Sequence, residues 1–387
     1  MKLLNNYILV FTTIMTLQGL TYSINSSALT ATSETTGKSY PHILDLEAYT
    51  LNTRNVKVLK AFENQLWIGT TLGAIRYNIS SLADYVIFDN KNALLSNGIF
   101  SFGFDRSGAT WVGTYGGGVS RFDGKKWINI NTPQGLADSF VFDIKFDSES
   151  VWLATWSGVS RIRGDPFSNE SWHTFTVDNT DKGLIDNWVY AIEIDSKNRL
   201  WFGTESGLSL YDGSSWHSWN HQNGLGAPYE EVVKDNQGIT SLFKGAHHTR
   251  HYANNSESSP EFRPNYILSM ALDKEQNLWI GGWGGGLSML NTKTMTFRNF
   301  TTKDGLPGNY ILALKEDEQG NLWIGTNNGL SRFDGKTFIN FDKINGLNSN
   351  FIFSIEITRD GSIWMGGHYG LDRIRISPST GKPLNLQ

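Results

Sequence analysis

Asn309-Tyr310-Ile311-Leu312-Ala313-Leu314, then Asn321-Leu322-Trp323-Ile324-Gly325-Thr326, then Gly329-Leu330-Ser331-Arg332-Phe333-Asp334-Gly335-Lys336-Thr337-Phe338, is the stretch from which the rest of the chain can be read. Its centre, Trp323 to Thr326, recurs as Trp67-Ile68-Gly69-Thr70, Trp111-Val112-Gly113-Thr114, Trp152-Leu153-Ala154-Thr155, Trp201-Phe202-Gly203-Thr204, Trp279-Ile280-Gly281-Gly282 and Trp364-Met365-Gly366-Gly367. The seven tryptophans are 44, 41, 49, 78, 44 and 41 residues apart, a period that suits one four-stranded propeller blade per copy. The long interval after Trp201 implies an insertion, roughly residues 226–261.

Within the quoted copy the inner strand is expected over Ile311 to Lys315, the second over Leu322 to Thr326, the third over Leu330 to Phe333 and the fourth over Phe338 to Phe341. The turns Asp317 to Gly320 and Asp334-Gly335 carry the glycine and acidic chemistry of hairpins. The fourth strand recurs as the pairs Tyr85/Phe88, Trp127/Ile130, Trp172/Phe175, Trp216/Trp219 and Phe297/Phe300. In the copies ending at Phe88, Ile130, Phe300 and Phe341 the residue before the next inner strand stands nine positions further on, and counting nine back from Asn55 reaches Leu46, with Ile43 three further. The N-terminal piece therefore reads as a fourth strand with no repeat before it, while the last repeat has three strands and no fourth. An all-β, seven-bladed β-propeller follows, its ring closed by a strand at about 42–47 pairing beside Leu371 to Ile376, which removes an exposed edge.

Composition agrees with one globular body. The 387 residues, 39% hydrophobic and 13% aromatic, are enough to bury roughly three quarters of the unfolded surface, and stacked repeats share one core. A net charge of −4 and no basic run beyond Lys125-Lys126 leave no footprint for nucleic acid. With no cysteine, disulfides, thiolate metal sites and a cysteine nucleophile are excluded. Lys2 followed by the apolar run Tyr7 to Leu20 reads as a cleaved signal peptide over 1–23, with an uncleaved anchor as the alternative, the run being short for a membrane span. A polar linker over 24–39, the propeller over 40–376 and a polar tail over 377–387 complete the organisation, with a periplasmic or secreted, monomeric product.

The tryptophans read as core, wedged between blades, with the following glycine or alanine admitting a neighbour's side chain. Arg76, Arg121, Arg161, Arg332 and Arg373, at a fixed place in the third strand, are expected to pair between blades with turn aspartates such as Asp105, Asp123 or Asp334.

The copies LWIGTNNGLSRFDGKTFINF and TWVGTYGGGVSRFDGKKWINI, each followed by a Gly-Leu and Asn-containing loop, resemble the two-component regulator propeller repeat. The resemblance spans nearly all of the chain after the leader. It implies the extracytoplasmic sensor region of bacterial hybrid histidine kinases, for which oligosaccharides are a recurring ligand class. No kinase or membrane segment follows the propeller in this sequence, so a signal would pass to a separate membrane or two-component partner. The chain is also distantly similar to streptogramin lyase propellers, but it has Gly-Thr where their repeats have Thr-Glu, so their catalytic residues are not carried across.

One face of the ring is unusually aromatic. The loops between second and third strands supply Tyr115, Trp156, Trp283, His368 and Tyr369, with Glu205, Asn327 and Asn328 at corresponding places. The loops entering the inner strands place Phe140, Trp188, Tyr266, Tyr310 and Phe351 at the channel opening. Rings with Asn and Glu beside them suit stacking on a sugar face or a planar small molecule; the alternative for the second ring is a plug of the channel, whereas Trp156 and Trp283 are expected to be exposed. The ligand-contact set is Tyr115, Trp156, Trp188, Glu205, Trp283, Tyr310, Asn327, His368 and Tyr369, with no cofactor. The insertion faces the same mouth and carries His247, His248 and His251, with His217 and His221 nearby, a weak candidate for zinc or copper that reads more simply as a polar loop. No nucleophile elbow, phosphate loop or metalloprotease motif occurs. The principal reading is a non-enzymatic ligand-binding sensor. Alternatives are a lyase or hydrolase using His247, His251 and Glu230 on the insertion, and a protein-interaction scaffold.

Overall fold

The computed structural model describes residues 12–17, 20–27, 43–236 and 262–376. Among these, the quoted copy forms Ile311–Glu316, Leu322–Thr326, Gly329–Phe333 and Phe338–Phe341, antiparallel and in order, matching the sequence expectation to within a residue at each end. The same four-stranded unit occurs seven times. Each inner strand packs on the inner strand of the next blade, and Ile352–Ile357 of blade 7 returns to the first, so the ring is closed.

Closure is made by one continuous strand, Ile43–Phe62, which serves two blades. Its first part pairs with the third strand of blade 7, Leu371 opposite Tyr49 and Ile374 opposite Leu46; its second part pairs with Gln65–Thr70 as the inner strand of blade 1. In blade 7 the second and third strands also run together, as Ile363–Ile376. The expected leader and linker fall largely outside the described residues. Their described parts, Thr12–Leu17 and Leu20–Ser27, form a hairpin whose second strand lies alongside residues 46–49, so the expected linker from residue 24 begins as strand. Most of the insertion and the tail 377–387 lie outside the described residues. No helix among those described is long and apolar enough to cross a membrane.

The repeated residues each have a local task. All seven tryptophans are at most 6% exposed. Five of them donate Nε1–H to an aspartate in the turn between first and second strands: Trp111 to Asp105, Trp152 to Asp147, Trp201 to Asp195, Trp279 to Asp273 and Trp323 to Asp317, at 2.6–3.1 Å. In these five blades the buried indole N–H is thus satisfied rather than stranded, whereas the Trp67 and Trp364 N–H groups have no hydrogen-bond partner among the described residues. The residue after the tryptophan pair must be small: a Cβ on Gly325 would stand 2.7 Å from the Ile352 carbonyl oxygen of the next blade. The threonine that follows closes the turn between second and third strands, its Oγ1 donating to the carbonyl that opens the third strand, as in Thr326 to Gly329 at 2.9 Å. The third-strand serine fastens the incoming loop: Ser160, Ser209 and Ser288 accept from the backbone N–H of Ala137, Ile185 and Gly226 at 2.9–3.0 Å. In blade 7 this place is taken by Asp372, fully buried and accepting from Asn348 N–H.

The arginines are structural, but the expected pairing between blades is corrected. Arg121 bonds Asp105 and Arg373 bonds Asp360 within their own blades at 2.8–2.9 Å, while Arg76 and Arg161 lie over Trp67 and Trp152. Asp123 and Asp334 instead accept backbone N–H groups of their own turns. Two blades lack the arginine. In blade 4, Leu210 occupies the place and Arg199 substitutes from the second strand's approach, bonding Asp195 at 2.7 Å and lying over Trp201. In blade 5, Met289 occupies it, and a cleft of about 190 Å³ opens there, lined by Asp273, Trp279, Met289, Arg298, Glu316 and Phe333.

Candidate functional site

All seven inner strands carry the same irregularity. Near the start of each the register shifts by one, in blade 5 after an earlier break between Arg263 and Ile267, leaving a bulged residue at the channel mouth: Lys57, Phe100, Phe142, Tyr190, Leu268, Leu312 and Phe353. A bulge twists the strand and turns its extra residue out of the ladder; here seven of them are gathered around one opening. Phe100 meets Phe142 at 5.2 Å, and Phe142 meets Tyr190 at 5.0 Å, so the bulged rings of blades 2 to 4 are contiguous.

The loop aromatics sit on these rings. Phe140 stacks on Trp156 with centroids 4.4 Å apart, Trp156 stacks on Trp188 at 5.6 Å, and Tyr115 meets Phe140 edge-on at 4.5 Å. Tyr115, Trp156 and Trp188 are all partly exposed, and Glu205 joins them, its backbone N–H donating to the Trp188 carbonyl at 3.1 Å. Tyr190 Oη donates to Glu205 Oε2 at 2.9 Å, and Arg263 Nη1 lies 3.9 Å from Oε1. Burial pushes the Glu205 carboxyl up to about 7, with the Tyr190 hydrogen bond opposing. Four of the expected contact residues therefore form one arc over blades 2 to 4.

The other half of the mouth differs from expectation. Trp283, expected to be exposed, is 8% exposed and stacks on Tyr266 at 5.7 Å; Tyr310, fully buried, closes on it edge-on at 5.2 Å. The reason is the start of the insertion, a helix Tyr229–Asn236 seated on the neighbouring turn: Asn236 Nδ2 donates to the Gly284 carbonyl at 2.8 Å and Ala227 N–H donates to that of Gly285 at 2.9 Å. On blades 5 and 6 the rings plug the channel; on blades 2 to 4 they line it. Asn327 is buried and accepts from Tyr310 N–H at 3.3 Å, which makes it part of the plug. His368 lies across the ring on Phe351 and Phe353, its Nδ1 2.6 Å from Asn55 Oδ1. The side chain of Tyr369, with His247, His248 and His251, lies outside the described residues. His221 Nδ1 meets the Leu225 carbonyl at 2.7 Å, and among the described residues no group of three His, Asp or Glu converges as a metal site.

Two features escaped sequence reading. Lys57 is the one charged residue in the bulged column, and aligning the inner strands shows it in place of a ring or leucine. Deeper in the channel lies a charged layer: Lys145 pairs with Glu193 at 2.8 Å and Lys315 with Glu356 at 3.1 Å, each between neighbouring blades. Although burial acts to lower it, Glu193 and Asp143 hold the Lys145 ammonium above its usual range. Lys60 belongs to the same layer; Glu356 draws it up, but burial and the nearby lysines leave it below the ordinary lysine range. The lower channel is thus lined by paired charges, and among the described residues the mouth above offers aromatic faces, Glu205 with Asp186 near it, Arg263 and the Lys57 ammonium. Stacking faces and hydrogen-bonding groups of this kind can bind and orient a ligand.

Architecture and site together define a seven-bladed β-propeller with an aromatic, one-sided mouth. Four segments within it, residues 183–206, 261–284, 305–328 and 346–369, match the family described as two component regulator propeller. A 160-residue stretch is 29% identical to Histidine kinase P4 of Formosa agariphila, covering 38% of this chain and 11% of that protein. The extracellular domain of a putative hybrid two component system from B. thetaiotaomicron superposes with a TM-score of 0.66 at 20% identity, over 96% of this chain and 52% of that one. Virginiamycin B lyase from Staphylococcus aureus superposes at 0.60 with 13% identity, over 86% and 99%. The chain thus spans about half of the extracellular domain and about a tenth of the kinase. At these identities the solved structures speak for the fold alone.

Proposed function

We propose that this protein is a sensor-type propeller of a two-component signalling system, working outside the cytoplasm, and that it recognises an oligosaccharide or other small molecule at the aromatic mouth without chemically changing it. The observation that supports this most is the arc of Trp156, Trp188 and Tyr115 around Glu205, which presents partly exposed ring faces and a hydrogen-bonding carboxyl together, across from the buried rings of blades 5 and 6. Ring faces of this kind stack on sugar faces, and a neighbouring carboxyl fixes orientation. Export rests on the apolar run Tyr7 to Leu20, read as a cleaved leader, and the partner is a separate membrane-bound signalling protein. Occupancy of the mouth is the event such a partner would read.

The test is a thermal-shift and tryptophan-fluorescence titration against neutral and acidic oligosaccharides, on wild type, Trp156→Ala and Trp188→Phe. A ligand at about a hundred times its dissociation constant stabilises by roughly 2.7 kcal/mol. Stabilisation of the wild type that is lost in Trp156→Ala supports the reading. Equal stabilisation of all three proteins places the ligand elsewhere and rejects it, and conversion of the ligand during the titration would make the protein an enzyme.

A further inference from the structure

The geometry points to Lys57 as the residue that selects the charge of the ligand: the mouth takes a ligand bearing an anionic group, a carboxylate on a ring such as that of a sugar acid, and Lys57 receives it. This deepens the mouth-binding reading and rests on it.

Six of the seven bulged positions hold a ring or a leucine, and the seventh holds Lys57. An ammonium among apolar side chains is costly unless it is paired. Two other channel lysines follow that rule, Lys145 with Glu193 and Lys315 with Glu356, and Lys60 in the same layer has the Glu356 charge to draw it up. Among the described residues Lys57 has no carboxylate within ion-pair distance. Its close neighbour is the face of Phe353, with Nζ 4.2 Å from the ring centroid. A ring face attracts an ammonium modestly and uses none of its three N–H donors in a conventional hydrogen bond. Burial alone pushes the Lys57 ammonium down to about 8, so it remains largely charged at neutral pH. The packing of the fold gives no reason for a charge here; a ligand with a negative group does.

The position fits this role. Lys57 lies on blade 1 and Glu205 on blade 4, three blades apart, the largest separation a seven-membered ring allows. The two charged groups therefore stand on opposite sides of the mouth, Glu205 beside the Trp188 face and Lys57 beside Phe353. Arg263 beside Glu205 adds a second cation on that side, where Asp186 supplies a second acid, so the unmatched positive charge of the mouth lies at Lys57. The titratable group facing Lys57 from a neighbouring element is His368 of blade 7, held below the ordinary histidine range by burial and then by Lys57 itself. On its own strand the next charge is Lys60, one layer deeper. Neither supplies a counter-charge.

Glucuronate and glucose differ in a carboxylate for a hydroxymethyl group, so their comparison isolates the charge. Both are titrated calorimetrically into wild type, Lys57→Met and Lys57→Arg, at about pH 6.5 and about pH 9.5, on either side of the Lys57 ammonium. In parallel the Lys57 ammonium is titrated by NMR with and without glucuronate, acetate and inorganic phosphate. Glucuronate is expected to bind wild type about tenfold more tightly than glucose, the size of one charge-assisted hydrogen bond. At about pH 6.5 the preference disappears in Lys57→Met and survives in Lys57→Arg; at about pH 9.5, where Glu205 is ionised in every variant, the preference of wild type falls below that of Lys57→Arg, whose charge persists. A preference that persists in Lys57→Met, equal binding of the two sugars to wild type, or a Lys57 titration that no anion moves each overturns the proposal. If glucose binding depends on Trp156 but neither sugar on Lys57, the mouth reading survives and the charge selection does not. If acetate or phosphate raises the Lys57 titration while neither sugar binds, Lys57 is an anion site and the sugar reading fails; phosphate acting alone would assign that anion to a phosphate rather than a carboxylate.

Discussion

Asn55 and His368 stand 313 positions apart in the chain and are joined by a 2.6 Å hydrogen bond. The bond sits where the two ends of the ring meet, between the strand that closes blade 7 and opens blade 1 and the bend inside Ile363–Ile376. Removing residues 1–50 would delete the fourth strand of blade 7 while leaving Asn55 and the whole of blade 1. The expected result is a large fall in melting temperature and association through the bared edge, seen by circular dichroism and size-exclusion chromatography. A truncated protein that melts with the full chain and stays monomeric would show that closure contributes little.

Asp372→Ser should stabilise the protein above neutral pH. The carboxyl takes the place of a serine used in five other blades, and burial raises it to about 7, with the Asn348 N–H opposing. A carboxyl raised in the folded state contributes most below its unfolded value near 4, and that contribution is lost as pH rises through about 7. At about pH 8 the wild type therefore carries the full penalty, and serine, which makes the same bond to the incoming loop elsewhere, should gain about 1–3 kcal/mol. The gain should vanish below about pH 4. Urea denaturation at the two pH values decides it, and a variant less stable than wild type at the higher one refutes the assignment.

Met289→Arg should restore the missing clamp of blade 5. In blade 2 the equivalent Arg121 bonds Asp105 and lies over Trp111; Asp273 and Trp279 stand in the same relation beside Met289, with a cleft of about 190 Å³ to receive the longer side chain. Filling it is expected to add about 0.5–2 kcal/mol. An unchanged or lower melting temperature would mean that Arg298 already claims the space.

Asp317→Ala should be severely destabilising even though no ligand role attaches to it. The carboxylate accepts from Trp323 Nε1 and from both the backbone and the side chain of Asn321, all buried. Losing it strands an indole N–H and an amide, at a cost of about 2–4 kcal/mol by chemical denaturation. A loss below about 0.5 kcal/mol would show that water replaces the carboxylate.

Strand positions were legible because the repeat samples each position seven times, so a residue that varies is separated from one that the blade needs. The closing strand was legible by counting for the same reason. What the repeat could not disclose lies where one copy departs from it. Trp283 shares its place with Trp156, but a helix outside the repeat pattern covers only the former. The pairing of tryptophan N–H with turn aspartate was hidden because both residues read adequately alone, one as core and one as turn. Lys57 was visible in the alignment of inner strands as a charge in an apolar column, but its facing toward the channel follows from a bulge, which has no signature in those residues.

Ile376 stands opposite Ile43, so the two strands of the closing ladder leave it at the same end. Tension applied outward through those two ends would not load the rungs together. It would open them one after another from Ile43 inward, as a zip opens, with a force set by a single hydrogen-bonded pair. The ring is therefore mechanically weakest at its seam, and anything that ties down both flanking segments acts as the slider.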